Sequence, residues 1–369
     1  MVIAGGGTGG HLFPGLATAR ELTRRHPDAE ILFVTGERRM ETRILERSGY
    51  RQRSIRVQPL KGRGWAGGLS ALLALPRSLV HARRILKRFV PQAVLGVGGY
   101  ASGPVCLAAR TLGVPTAIHE QNSYPGLTNR LLCRIVDRVF ISFEESRSGF
   151  PAGRLVLTGN PVREELLRVE PRGIDPARPL SVLVVGGSQG ARVVNTAVAD
   201  ALVLMKDRGM EVRVVHQTGD ADYERVLGLY TERGLQGVVT PFIEDMAGAY
   251  AGADLVIGRA GASTVTELAA LGKPAVLIPL PHAANNHQVT NARALADDGG
   301  AVLLLQEDLE SSTLADLLVR YSRDREPLRR LSARALEKAR PEATRTIVDQ
   351  LEALMSSGAG RRGRAVRER

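Results

Sequence analysis

One pattern, repeated half a chain apart, constrains this sequence most. Val2-Ile3-Ala4 runs into Gly5-Gly6-Gly7-Thr8-Gly9-Gly10, and Val182-Leu183-Val184-Val185 runs into Gly186-Gly187-Ser188-Gln189-Gly190. Each reads as a short apolar strand, a glycine turn and a helix. Further short apolar runs fall at residues 31–34, 94–97, 116–118, 139–142 and 155–158 in the first half. In the second they fall at 212–215, 238–240, 255–257, 275–278 and 302–304. Amphipathic stretches separate them. Strand–helix alternation of this kind predicts an α/β fold with parallel sheets covered by helices on both faces. The repeat predicts two Rossmann-like parallel-sheet domains facing across a cleft, with ligands beyond the carboxyl ends of the strands. The boundary is expected near Gly159-Asn160-Pro161-Val162-Arg163. This gives an amino-terminal domain over 1–160 and a second over 161–340. A helix over 341–355 is expected to pack back on the first, with an irregular basic tail over 356–369.

Composition excludes several classes. Hydrophobic residues make up 44% of the 369 residues, enough for sizeable cores. No apolar run approaches the ~20 residues of a spanning helix. A removable signal sequence is not expected, because Met1 to Ala4 leads straight into a glycine turn. Cys106 and Cys133 lack disulfide-framework or metal-ligand spacing and read as reduced, buried residues. The net charge is +12. Residues 47–119 hold twelve Lys or Arg and no acid, so the positive field lies on the first half. Such a field attracts an anionic membrane face or phosphorylated substrates. Nucleic acid is not expected as a partner, because aromatics are only 4% and scattered, leaving no base-stacking platform.

Three glycine turns could receive anions at helix N-termini: residues 5–10, Gly96-Val97-Gly98-Gly99-Tyr100, and residues 186–190. None has the form G-x-x-x-x-G-K-S/T, and no acid at the usual spacing makes residues 5–10 a dinucleotide fingerprint. Diphosphate-bearing ligands fit them better. His11 follows the first turn and is a candidate general base. His119-Glu120-Gln121-Asn122 ends another apolar run, with Glu120 as the alternative base. After residues 255–257 comes Gly258-Arg259-Ala260-Gly261-Ala262-Ser263-Thr264-Val265-Thr266-Glu267. Small and hydroxyl residues there suit a phosphate at a helix N-terminus, and Glu267 could accept both hydroxyls of a ribose. The same residues would also suit an ordinary helix cap. No metal-ligand spacing and no nucleophile elbow is visible.

The chain resembles the MurG family, the undecaprenyldiphospho-muramoylpentapeptide β-N-acetylglucosaminyltransferases. The resemblance rests on G-G-G-T-G-G-H, H-E-Q-N, G-N-P-V-R, G-G-S-Q-G-A and R-A-G-A-S-T-x-x-E, and it runs in order from Gly5 to about Ala292. It implies the GT-B fold and transfer of N-acetylglucosamine from UDP-N-acetylglucosamine to the 4-hydroxyl of N-acetylmuramic acid in lipid I. The product would be lipid II for peptidoglycan, and the cell wall on which cell shape and division depend. Inversion by single displacement is expected, with no metal or other cofactor. Carried over by position, Thr8, Gly9, Gly10, Asn122, Arg163, Ser188, Ile243, Ala262, Ser263, Thr264, Val265, Thr266, Glu267 and Gln288 would bind the donor. Ile243 would offer its backbone to the uracil. Gly9, Gly10 and His11 with Gly98, Gly99 and Tyr100 would hold the acceptor's diphosphate. Other readings are a different UDP-sugar-dependent lipid glycosyltransferase or a UDP-N-acetylglucosamine 2-epimerase. Cell-wall synthesis proteins are possible partners.

A lipid-linked acceptor would put the enzyme on the cytoplasmic face of the cell membrane as a peripheral protein. Residues 61–90 hold seven Lys or Arg and no acid, among apolar residues that include Trp65, Leu72, Leu73 and Leu79. Pro76 predicts a break, with a helix over 76–89 on which Leu79, Leu86 and Phe89 share a face. Arg77, Arg83, Arg84, Lys87 and Arg88 surround that face. The pattern suits an anionic lipid surface, with Trp65, Leu72 and Leu73 near the lipid, and equally a core-facing helix with a solvated basic side.

Overall fold

The computed structural model describes residues 1–6, 9–37, 39–57, 64–170, 173–186, 190–281, 283 and 286–367. The chain divides into two units, residues 1–163 with 341–369, and residues 164–340.

The first unit is built on strands β1 (Val2–Ala4), β2 (Leu32–Thr35), β3 (Arg51–Ser54), β4 (Val94–Gly96), β5 (Thr116–Glu120), β6 (Arg138–Ile141) and β7 (Leu155–Leu157). Between them lie helices α1 (Gly9–Arg25), α2 (Arg39–Arg47), α3 (Gly64–Phe89), α4 (Ser102–Thr111) and α5 (Leu127–Leu132). The sheet order is β3-β2-β1-β4-β5-β6-β7, parallel throughout. Its central strands are buried on both faces, which is why they read as unbroken apolar runs. The strand order reverses between β1 and β4, so a crevice opens at their carboxyl ends. Gly5-Gly6 and Gly98-Gly99 leave those two strands.

Strand β3 is Arg-Gln-Arg-Ser, exposed along most of its length. An edge strand tolerates such polarity, and no apolar period marks it in sequence. Helix α3 continues through Pro76 where a break was expected. A proline removes one rung of the ladder, but strong helix formers flank this one and tertiary packing holds the carboxyl half. In that half Ser78, Ala82 and Leu86 are buried, and α3 packs on α4. Leu79, on a face that suited either a lipid surface or the core, packs partly against the core with Ile85 and Phe89, which corrects its assignment to the membrane. The Ser78 hydroxyl donates to the Arg56 carbonyl at 2.6 Å, and Arg83 Nη1 donates to Thr111 Oγ1 at 2.7 Å. The side chains of Trp65, Leu72 and Leu73 lie outside the described residues.

The second unit carries α6 (Glu164–Leu167), β8 (Leu180–Val185), α7 (Arg192–Asp207), β9 (Val212–Gln217), α8 (Tyr223–Glu232) and β10 (Val238–Thr240). It continues with α9 (Met246–Gly252), β11 (Leu255–Gly258), α10 (Ala262–Ala270), β12 (Ala275–Leu277), α11 (His287–Ala296), β13 (Val302–Leu303), α12 (Ser311–Arg323) and α13 (Glu326–Glu337). Its parallel sheet has the order β10-β9-β8-β11-β12-β13, with the reversal between β8 and β11.

Helix α14 (Ala343–Arg367) belongs to the first unit. Ile347, Val348, Leu351 and Leu354 share a core cluster with Leu12, Leu16, Ala19 and Leu22 of α1. Arg25 Nη1 meets Asp349 at 2.5 Å and Glu352 at 3.2 Å, and His26 meets Glu352 at 3.0 Å. The tail expected to be irregular is helical as far as Arg367. Once the docked turns nucleate the helix, each further residue adds a hydrogen bond, and the good helix formers Ala359, Arg361, Arg362, Arg364 and Ala365 offset part of the roughly 1 kcal/mol that each of Gly358, Gly360 and Gly363 costs.

Leu351→Ala should destabilise the first unit by about 2–5 kcal/mol through the cavity it leaves under α1. Denaturant unfolding followed by the fluorescence of the single tryptophan, Trp65, checks this. An unchanged midpoint would mean that α14 is not docked in solution.

Candidate functional site

In the first unit, Gly5 (φ 154°) and Gly6 (φ 139°) lead out of β1 in a region that favours glycine. The Gly6 N–H donates to the Gly98 carbonyl at 3.3 Å. Helix α1 then starts at Gly9 with no acid in its first turn. Its first N–H groups have no intrahelical acceptor, and with the helix dipole they favour an anion there. Tyr100, beside Gly99, is 37% exposed. Thr8 lies outside the described residues.

Half-buried His11 points its Nδ1 at Gln121 Oε1, 3.0 Å away. The space between them exists because residue 98 is glycine: a Cβ there would lie 2.7 Å from His11 Nδ1. Gln121 is buried at the carboxyl end of β5. Its Nε2 reaches the Val97 carbonyl at 2.9 Å and His119 Nδ1 at 3.1 Å.

Glu120 is also buried, and all its lone pairs are engaged. Oε1 accepts from the Asn122 N–H (3.0 Å) and side-chain amide (3.2 Å). Oε2 accepts from the Gly126 N–H (2.9 Å) and Asn129 Nδ2 (2.9 Å). A carboxylate has about four acceptor sites. Glu120 and Asn122 therefore act together as a clamp on the loop into α5. Arg163 stands over the Phe13 ring of α1, 5.9 Å from its centroid.

In the second unit, α10 begins at Gly261 with no side-chain cap. The Ser263 hydroxyl in its first turn is buried and has no hydrogen-bond partner among the described residues. Uncapped N–H groups beside an unpartnered hydroxyl are what a phosphate oxygen would satisfy. Further on, Val265 turns into the core and the Thr266 hydroxyl donates back to the Ala262 (2.9 Å) and Ser263 (3.0 Å) carbonyls. These two side chains are thus turned away from a ligand at the helix start. Glu267 accepts from the buried Tyr250 hydroxyl at 3.3 Å, which fixes its rotamer.

Arg259 is no anion ligand here. Its Nη1 donates to the Ile278 and Pro279 carbonyls (both 3.1 Å) and its Nη2 to Gln306 (2.7 Å), and burial lowers its pKa. Gln288 Oε1 accepts from the Leu280 N–H at 2.9 Å, and Asn291 Nδ2 donates to the Ala260 carbonyl at 3.3 Å. The Ile243 N–H is held by Gln217 Oε1 at 3.1 Å. Gly190 approaches the Thr218 carbonyl, which a Cβ would meet at 2.7 Å. Ser188 lies outside the described residues.

Sequence reasoning missed a buried network beneath this second turn. His216 Nδ1 meets the Tyr230 hydroxyl (3.0 Å) and its Nε2 meets Asn195 Oδ1 (3.1 Å). Asn195 Nδ2 donates to the Thr218 carbonyl (3.1 Å) and Asp222 Oδ2 (2.7 Å), and Arg225 grips Asp222 with two bonds. The available signal was Val214-Val215-His216-Gln217, an apolar strand ending in His-Gln much as β5 ends in His-Glu-Gln. Glu41 was missed as well. It is fully buried on α2, and its carboxylate lies where a Cβ on Gly6 would fall, at 2.6 Å.

Among the described residues no group of three His, Cys, Asp or Glu side chains could hold a metal ion. No helix among them is long and apolar enough to cross a membrane.

Residues 1–141 match the glycosyltransferase family 28 N-terminal domain and residues 181–347 the glycosyltransferase family 28 C-terminal domain. The UDP-N-acetylglucosamine--N-acetylmuramyl-(pentapeptide) pyrophosphoryl-undecaprenol N-acetylglucosamine transferase of Myxococcus xanthus (strain DK1622) is 46% identical over 364 residues, 99% of this chain and 95% of that protein. The transferase of the same name from Syntrophus aciditrophicus (strain SB) is 44% identical, covering 96% of this chain and 98% of its own. The crystal structure of Acinetobacter baumannii MurG matches with a TM-score of 0.79 at 35% identity, over 95% of this chain and 98% of that one. With its two parallel sheets, the chain has the GT-B fold.

Burial lowers the pKa of His119 and of His216 to about 4, against 6.5 for a free imidazole. Between those values the unfolded chain binds protons that the folded one refuses. Stability is therefore full above about pH 6.5 and falls as the pH drops toward 4. Denaturant midpoints measured across that window should decline, and His216→Asn should flatten the decline while lowering the plateau. A parent protein whose midpoint ignores pH in this range would contradict the neutral, buried assignment.

Proposed function

We infer the function of this chain from one premise: it belongs to glycosyltransferase family 28 and, within that family, to the MurG group. It transfers N-acetylglucosamine from UDP-N-acetylglucosamine to an N-acetylmuramyl-(pentapeptide) pyrophosphoryl-undecaprenol, which is lipid I. The observation that carries this reading is the start of α10. It is uncapped, it holds a buried Ser263 hydroxyl without a partner among the described residues, and it stands beside the strand-order reversal of the second sheet. A nucleotide diphosphate meets those donors, and Glu267, held by Tyr250, receives its ribose. Ile243 offers its backbone to the uracil.

The acceptor's 4-hydroxyl oxygen forms the new bond to the anomeric carbon as the bond to the diphosphate oxygen breaks. UDP carries away the electron pair, and the configuration inverts. His11 takes the hydroxyl proton. Glu120 is the weaker candidate, because its four acceptor sites are already engaged in the loop clamp. The growing charge on UDP is met by the α10 N-terminus, so the reaction as proposed needs no metal ion.

A lipid-linked acceptor also requires a membrane surface. The outer side of α3 presents Arg77, Arg84, Lys87 and Arg88, with Leu75 and Val80 exposed among them. We assign this side to the anionic headgroups of the cytoplasmic leaflet, bound peripherally.

UDP release from UDP-N-acetylglucosamine should depend on a lipid I analogue, and appearance of UDP-N-acetylmannosamine would instead identify an epimerase. His11→Ala should lower turnover by about 10²–10⁴-fold and leave donor affinity near the parent's. Full turnover in that variant would remove His11 from the role of base.

For the membrane surface, replacing Arg84, Lys87 and Arg88 with Gln should weaken binding to anionic vesicles by about 3 kcal/mol in total, at about 1 kcal/mol per charge. UDP binding should be spared. Equal co-sedimentation of variant and parent would show that this side of α3 faces something else.

A further inference from the structure

We propose that Gln121 is a positioning residue for the transfer: it holds His11 in the one neutral tautomer whose Nε2 can accept the acceptor's proton. The proposal rests on the reading of His11 as general base and names what makes it one. The assignment follows from which atoms can only accept. The Val97 carbonyl has no proton to give, so the Gln121 atom 2.9 Å from it must be the amide nitrogen. The other end of that amide is then an oxygen, and it faces His11 Nδ1 at 3.0 Å. An amide oxygen also only accepts, so Nδ1 carries the ring hydrogen and Nε2 keeps its lone pair.

The orientation of Gln121 is fixed in turn from β5. His119 Nε2 faces the Gly159 carbonyl at 3.2 Å, so that nitrogen bears the proton of a neutral, fully buried ring. The Ser142 hydroxyl donates to the Glu120 carbonyl at 2.8 Å and leaves its own lone pair toward the same Nε2–H at 3.2 Å. His119 Nδ1 is therefore an acceptor, and Gln121 Nε2 donates to it at 3.1 Å. Reversing the Gln121 amide would set an oxygen against two acceptors, Val97 O and His119 Nδ1, and an NH₂ group against His11. Each buried mismatch of that kind leaves a desolvated polar atom without a partner, so one orientation dominates. Gly98 completes the arrangement, since a Cβ there would fall 2.7 Å from His11 Nδ1 and 3.4 Å from Gln121 Oε1. Among the described residues, the titratable and charged groups around this turn are His119 on β5, Glu41 on α2 against Gly6, Tyr100 after Gly99, and Arg163 over Phe13. The test leaves them all in place.

Nitrogen-15 NMR of histidine-labelled full-length protein reads the tautomer directly, with the His11 signals identified by their loss in His11→Ala. In the parent, the neutral His11 ring should be protonated at Nδ1 and bare at Nε2. Gln121→Leu should shift the ring toward the Nε2–H form. It should lower kcat roughly 10–100-fold, the range seen when the partners that orient metal-bound imidazoles are lost. The KM for UDP-N-acetylglucosamine and the unfolding midpoint of the second unit should stay near the parent's. Gln121→Glu keeps an acceptor at Nδ1, so the His11 ring should stay protonated there, but its second oxygen faces the Val97 carbonyl and His119 Nδ1 with no hydrogen to give, so the unfolding midpoint of the first unit should fall while the tautomer does not change. A parent ring protonated at Nε2, or a Gln121→Leu variant with the parent's tautomer and kcat, overturns the proposal. If Gln121→Leu moves the tautomer while His11→Ala keeps full turnover, the failure lies with the general-base reading and not with the contact.

Discussion

A Cβ on Gly99 would sit 1.9 Å from the Gly6 carbonyl oxygen, and one on Gly5 would sit 2.5 Å from the Gly98 oxygen. Two chain segments more than ninety residues apart thus cross backbone against backbone at the ends of β1 and β4. No other residue type allows that approach. The crossing follows directly on the pairing of β1 with β4, whose last partners are Ala4 and Gly96. The start of α1 depends on it, because the chain leaves β1 through these glycines. The contact of His11 with Gln121 depends on it too, because Gly98 supplies the gap between them. In the second unit, Gly190 against the Thr218 carbonyl lets the turn after β8 meet the end of β9, and Gly258 against the Val185 carbonyl lets the end of β11 meet that of β8, with Cβ distances of 2.7 Å each.

The two units share a less visible device. Each ends a strand with a buried, neutral histidine that holds a side-chain amide: His119 holds Gln121, and His216 holds Asn195. In both, the amide then braces backbone at a glycine turn, through the Val97 carbonyl in one and the Thr218 carbonyl in the other. A buried imidazole with both nitrogens engaged is a rigid spacer with a donor at one end and an acceptor at the other. It turns the end of a flexible strand into a fixed reference for the loop beside it.

What could be read from sequence follows from how local the signal is. Central parallel strands are buried on both faces, so their apolar runs stand out, and the expected runs fall on observed strands within a residue or two. Strand β3 escaped because an edge strand of Arg-Gln-Arg-Ser has neither period nor apolarity. Pro76 misled because a proline's local preference gave way to the packing of Ala82 and Leu86 further along α3. His11 and the hydroxyls of α10 could be picked out because motif residues lie next to their glycines. Their partners could not. Gln121 is 110 positions from His11, and Tyr250 is 17 from Glu267 on a different helix, so only the fold brings them together. Val265 and Thr266 show the reverse limit, since membership of a motif does not say which way a side chain turns.

Helix α14 has a consequence for the order in which the protein folds. The first unit is discontinuous: one wall of its core, Ile347 to Leu354, is separated from the rest of that unit by the whole of the second. The second unit lies within one uninterrupted stretch and can complete its own core while the first still waits for that wall. The strands of the first unit are therefore made before the second unit, but their core is sealed after it. Until α14 docks, the face of α1 that carries Leu12, Leu16, Ala19 and Leu22 is an open apolar seam.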